Sequence, residues 1–205
     1  MSDYSLTLNI MTTEVTERQT EIIEAAAKIL TNSGVSGLTI KNIAKEMNFS
    51  ESAIYRHFQS KEEIIVAMLD FVMQHIGSAT LNVLINSESV ADTFKAMFNA
   101  QFSYFSKHPH LAVAIFSDGL LEESSRINDK IIAIMNSRKI MMEPLAKKGQ
   151  QNGELTKEIS AEEIVHILMG AVRLLMYQWR VANFSFDIQK RGDKLVSNVL
   201  KVVEA

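Results

Sequence analysis

Between Thr39 and Lys61 the chain gathers side chains suited to a polyanionic partner. Thr39 stands where a helix can begin, and the free amides and dipole of a helix N-terminus favour an anion. Tyr55 and His57 can donate hydrogen bonds, while Lys41, Arg56 and Lys61 supply positive charge. Contacts of these kinds grip a nucleic-acid backbone without reading its sequence. Reading would fall to Lys41, Ser52, Ala53 and Arg56, which can meet base edges and thymine methyl groups. Ser50 belongs to the same candidate surface and can cap the helix that carries it. Glu51 can accept from a cytosine amine or repel wrong sequences. As a bare pattern, an ordinary hairpin of short helices with a solvated face accounts for these residues equally well.

Catalytic and metal chemistry finds less support. Glu163-x-x-His166 has the spacing of a di-iron carboxylate motif, but no second copy exists, and Glu163 is better used in a helix cap. His108-x-His110 offers only two ligands beside a proline. The chain has 0 cysteines, which excludes disulfides, thiolate zinc sites and cysteine nucleophiles. Glycine-rich phosphate loops and G-x-S-x-G elbows are also missing. The expectation is a non-enzyme with no metal and no cofactor.

The elements that must position these residues read as helices throughout. The chain has 205 residues, 47% hydrophobic and 22% charged, with 8 glycines and 2 prolines, so strong helix formers dominate. Residues 1–13 read as a flexible extension. Ile22, Ala25, Ala26, Ile29 and Leu30 form the apolar stripe of a first helix, which Gly34 stops. Thr39 caps a short helix that turns Ile40, Ile43 and Ala44 inward. Met47-Asn48-Phe49 makes a turn in which Asn48 tolerates a positive φ. Ser50 caps the next short helix. Ser60 and Glu63 form a capping box that opens a long fourth helix, Glu63 reaching back to the amide of Ser60.

Further helices are expected from Ser89 to Lys107, from Pro109 to Asp118-Gly119, and from Ser124 to Gln151, the last kinked at Pro144. Gly153 ends that helix. A second capping box, Ser160 to Glu163, opens a helix to Ala182, and Asp187 caps a final one to Val203. The fold class is therefore all-α with about nine helices. A helix-turn-helix domain over 14–60 precedes a helical domain over 61–205. The most apolar stretch, Ile164 to Trp179, is short and interrupted by His166, Arg173 and Gln178, so a cytoplasmic protein with no membrane span is expected. The net charge of −3 does not favour nucleic acid, so any DNA binding must rest on a local patch.

The run Ile54-Tyr55-x-His57-Phe58-x-Ser60-Lys61, with Leu38 to Phe49 before it and Arg18, Ile22, Ala25, Ala26, Leu30 and Gly34 upstream, resembles the signature of the TetR (tetracycline-repressor-like) family. Strong resemblance covers residues 18–64. It implies a DNA-binding transcriptional regulator whose second short helix enters the major groove. It also implies phosphate contacts at Tyr55, His57 and Lys61. Asn48 departs from the family's usual glycine, and Ile40 from a common threonine.

For the remaining two-thirds the resemblance implies a helical domain that binds a small molecule and dimerises. Phe98, Phe102, Phe105, Phe116, Met135, Met142, Met169 and Tyr177 are candidate pocket residues, and methionine suits irregular cavities. His166, Arg173 and Tyr177 share one face of the penultimate helix. An arginine in so apolar a helix needs a partner: a carboxylate of its own chain, a dimer mate or an acidic ligand. The same helix is apolar nearly all round, so Leu168, Val172, Leu175 and Trp179, with Val199 of the last helix, are candidate dimer contacts, and Gly170 allows close approach. The implied protein is a repressor that binds a palindromic double-stranded operator as a homodimer and answers to a small apolar or amphipathic ligand. The competing reading is an architectural or division-linked DNA binder of the same fold with a protein effector. A third reading is a helical binding module with no DNA role.

Overall fold

The computed structural model describes residues 15–84, 89–116, 119–120 and 123–205, with backbone alone for 79–84. The extension expected over 1–13 and the stop expected at Asp118 lie outside the described residues. Among the described residues there are nine helices: α1 Glu17–Gly37, α2 Ile40–Glu46, α3 Glu51–Tyr55, α4 Lys61–Leu84, α5 Val90–Lys107, α6 Pro109–Phe116, α7 Ser125–Asn152, α8 Ala161–Val181 and α9 Ile188–Val202. Among those residues the only bridge between extended segments is the isolated one joining Leu155 to Glu204.

Short polar side chains begin most of these helices, because they satisfy amides that have no intrahelical partner. Thr39 accepts from Asn42 N–H, Ser50 from Ala53, Ser89 from Asp92, Ser124 from Ile127 and Asp187 from Lys190. Ser160 and Glu163 form the expected reciprocal box. A box at Thr16 and Gln19 starts α1, a signal the sequence reading passed over. The Ser60 box differs in detail. Glu63 N–H donates to Ser60 Oγ, but the Glu63 carboxylate accepts from Gln59 N–H at 2.6 Å, one residue before the cap. Gly34 (φ 65°) and Gly153 (φ 77°) hold the positive φ their stop positions require. Nothing lies within 4 Å of a side chain built at Gly34, so conformation rather than space demands glycine there. α7 stays helical through Pro144 from Ser125 to Asn152.

One core runs through the molecule. Ile22, Ala26 and Leu30 of α1 meet Leu38, Ile43, Ile54, Phe58 and Ile64, which holds α2, α3 and the start of α4 against α1. α1 packs in turn on α4 and α6, so the small N-terminal bundle is seated on the rest of the chain. Ion pairs between Glu62 and Arg126 at 3.3 Å, and between Asp70 and Lys130, join α4 to α7. α5 lies against α9, where a methyl group on Gly192 would come within 2.4 Å of the buried Phe102 ring.

On α8 the side chains expected at a dimer contact turn inward. Leu168, Val172, Leu175 and Trp179 are all under 10% exposed within a single chain. They point into their own core, and Trp179 Nε1 donates to Phe186 C=O at 2.9 Å. The face left open on α8 lies one step round the helix: Ile167, Gly170, Leu174, Tyr177 and Val181. Apolar character nearly all round did not show which side of α8 turns inward. Val199 of α9 is half-buried, between Leu195 and the exposed Val202.

Candidate nucleic-acid interface and ligand cavity

α2 and α3 cross through Ala44, which is buried at 3% exposure and small enough for close approach. Phe49 N–H donates to Ala44 C=O at 2.8 Å and closes the turn. Asn48 sits at φ 54°, the left-handed conformation in which asparagine is better tolerated than most residues. Ile54 and Phe58 anchor α3 underneath. Gln19 Nε2 donates to His57 C=O at 3.3 Å and ties the end of α3 to α1. The guanidinium of Arg18 lies 5.0 Å over the Phe49 ring, beside the turn. Neither tether was foreseen, since both join residues more than thirty positions apart.

What remains outward is a polar surface. Thr39, Lys41, Ser50, Ser52, Tyr55 and Arg56 are exposed, and Ala53, His57 and Lys61 are partly so. Ser50 Oγ and Ser52 Oγ are 2.8 Å apart at the head of α3. Asn42 Nδ2 donates to Gly37 C=O at 2.7 Å and holds the entry to α2. From Thr39 to Lys61 there are four cations, Lys41, Lys45, Arg56 and Lys61, against Glu46 and Glu51, although the whole chain is at −3. The structure thus brings all nine candidate DNA contacts onto one bundle. Lys61 has a complication: its ammonium is ion-paired with the carboxylate of Glu123, just before α7.

The second feature is a cavity of ≈ 350 Å³ among α4, α5, α6, α7 and α8. That volume lies in the usual range for small-molecule sites. Phe98, Phe105, Phe116, Met135, His166, Met169 and Arg173 line it, as do Met73, Ile76, Ile131 and Ile134, which the sequence reading did not single out. Three candidates are placed elsewhere. Phe102 is turned toward α9, a step round α5 from the Phe98 and Phe105 stripe. Met142 is fully buried, one turn past the cavity on α7. Tyr177 borders an adjoining surface groove with Gly170 and Leu174.

The cavity also holds polar residues that were missed: Gln101, Arg138, Asn136 and the pair Lys139–Glu162. Arg138 Nη2 donates to Gln101 Oε1 at 2.6 Å, and burial lowers the arginine's pKa to about 10. A signal for both was present. Phe98, Gln101 and Phe105 share one stripe of α5, and Ile131, Ile134 and Arg138 share one stripe of α7, so each polar residue interrupts an inward apolar face. Elsewhere, Glu163 accepts from Ser160 N–H and Oγ, both at 2.7 Å, which commits its carboxylate to the helix cap. No helix among the described residues is long and apolar enough to cross a membrane.

Comparison with known proteins gives a consistent picture. Residues 22–68 match the family described as "Bacterial regulatory proteins, tetR family", and residues 67–202 match "YsiA-like protein, C-terminal region". The nucleoid occlusion factor SlmA of Vibrio campbellii is 24% identical over 141 residues, 66% of this chain and 72% of that protein. The fatty acid degradation regulator FadR of Bacillus halodurans superposes with a TM-score of 0.81 at 16% identity, over 92% of this chain and 97% of that one. FadR of Bacillus subtilis, solved with stearoyl-CoA, superposes at 0.77 with 17% identity, over 90% and 99%.

Proposed function

The chain belongs to the tetR family of bacterial regulatory proteins, and we propose that it works in the cytoplasm as a ligand-responsive repressor binding a palindromic operator as a homodimer. In this reading residues 14–60 form the DNA-binding domain and 61–205 the regulatory and dimerisation domain. The observation that carries the proposal is the surface around α3, capped, anchored from below and outward-facing with its cations. In this reading Thr39, Tyr55, His57 and Lys61 hold phosphates, while Lys41, Ser52, Ala53 and Arg56 read bases from the head of α3, which Ser50 caps. A single head reads a half-site, and two heads one helical turn apart require a two-fold dimer. The open face of α8 (Ile167, Leu174, Val181), together with Val199 and Val202 of α9, supplies an apolar surface for that dimer.

The cavity supports the ligand. A molecule held among α4 to α8 contacts the helices on which α1 and α4 rest, so it can favour one spacing of the two heads over another. To release DNA it must bind the non-binding arrangement more tightly. The second reading, a DNA binder with a protein effector, draws on the kinship with nucleoid occlusion factors. A cavity of ≈ 350 Å³ favours the first. The test is to select bound fragments from genomic DNA and footprint them. Two protected half-sites related by a two-fold axis support the proposal, and absence of any selected sequence overturns it.

A further inference from the structure

Arg138 is a cation that the described residues leave without an ion-pair partner. It lies on the wall of the cavity, partly buried, in line with Ile131 and Ile134 of α7. Among the described residues its hydrogen-bond partner is the neutral amide oxygen of Gln101, at 2.6 Å, and Gln101 is itself only 6% exposed. The guanidinium carbon is 5.9 Å from the Phe98 ring centroid. Glu143, the acidic side chain nearest in sequence, pairs with Lys147, and Glu162, which lines the cavity, pairs with Lys139. Among the described residues no carboxylate forms an ion pair with Arg138. A guanidinium has five N–H donors in a planar fork, so one bond to Gln101 leaves most of that capacity unspent. Even with its pKa lowered to about 10 by burial it stays charged at neutral pH. A charge drawn out of water is strongly unfavourable unless it is paired.

We propose that Arg138 is the anion receptor of the cavity and that the ligand is an amphipathic monocarboxylic acid. The inference rests on the ligand-responsive reading above and gives its ligand a chemical class. The apolar body lies among Phe98, Phe105, Ile134 and Met169, and the carboxylate meets the guanidinium as a two-bonded fork. Gln101 is a positioning residue that holds the guanidinium's orientation. A neutral apolar ligand would leave Arg138 as it is, and a cationic one would add a like charge beside it.

Calorimetric titration of the full-length protein tests this, using decanoate and 4-butylbenzoate, the primary amide of each, and decanoyl-CoA. An acid should bind about 10- to 100-fold more tightly than its amide, the range for hydrogen bonds to a charged group. Arg138→Met should abolish that preference and Arg138→Lys should keep part of it. Arg138→Gln serves where the methionine variant does not fold. Equal binding of acid and amide overturns the inference while leaving a ligand site intact. So does an acid preference that survives in Arg138→Met or Arg138→Gln, or tighter binding of decanoyl-CoA than of decanoate. Failure of all these compounds to bind overturns the ligand-responsive reading and this inference with it.

Discussion

At the scale of single residues, the proposed DNA surface divides between phosphate holders and base readers. Tyr55→Phe and Lys61→Ala should weaken binding to every sequence alike, and the lysine change should lower the salt slope by about one. Titrations of matched and mismatched DNA by fluorescence anisotropy across salt concentrations check this, and a change confined to one sequence would contradict the phosphate assignment. The Glu123 carboxylate adds a consequence that no local motif carries. It is ion-paired with the Lys61 ammonium, so a phosphate held by Lys61 as proposed has to compete with it. Glu123→Gln should therefore tighten DNA binding in the same titrations, most at low salt. The caps at Thr39, Ser50 and Ser160 were legible because each is a local signal three residues long. The Lys61–Glu123 and Arg138–Gln101 contacts were not, since they depend on which helices pack together.

At the scale of elements, two junctions hold the helices together. The first lies among α1, α4, α5 and α6. Tyr104 stacks on His75 and lies tilted against His108, and its hydroxyl and His110 Nε2 are buried with no hydrogen-bond partner among the described residues. Burial, against the opposing pull of Glu24 and with the help of His108 and Lys28, lowers the pKa of His110 below 6.5. The fold therefore prefers the neutral ring. That contribution is complete above pH 6.5 and is lost as pH falls below 6.5 toward the lower folded value. Thermal melts between about pH 7.5 and 5.5 should show a drop in Tm that His110→Phe reduces; equal slopes would contradict the account. The second junction is α5 on α9. Gly192→Ala should destabilise by about 1–3 kcal/mol by denaturant titration, because the Phe102 ring it would strike is fully buried and cannot swing away. The helices themselves were readable from apolar periodicity. That Phe102 faces α9 while Phe98 faces the cavity was not, because both lie on the apolar side of α5 and only the packed neighbours distinguish them.

At the scale of the whole molecule, the chain is a reading head seated on a helical body with a cavity and one open apolar face. The family and the all-α class were visible in residues 18–64, where a short, dense motif constrains both fold and role. The inward side of α8 was not legible, since a helix apolar on nearly every side carries little phase information. Leu174→Asp, on the 57%-exposed side chain of the open face, should yield monomers by sedimentation without unfolding the chain. Leu168→Asp should unfold it instead. The account stands most directly on whether the Thr39 to Lys61 surface grips DNA. The deciding measurement is a shift titration of the protein on a genomically selected fragment over a series of salt concentrations. The account predicts saturable binding whose log affinity falls linearly with log salt, with a shallower slope in Lys61→Ala. Binding to no fragment, or binding indifferent to salt and to Lys61, would contradict it.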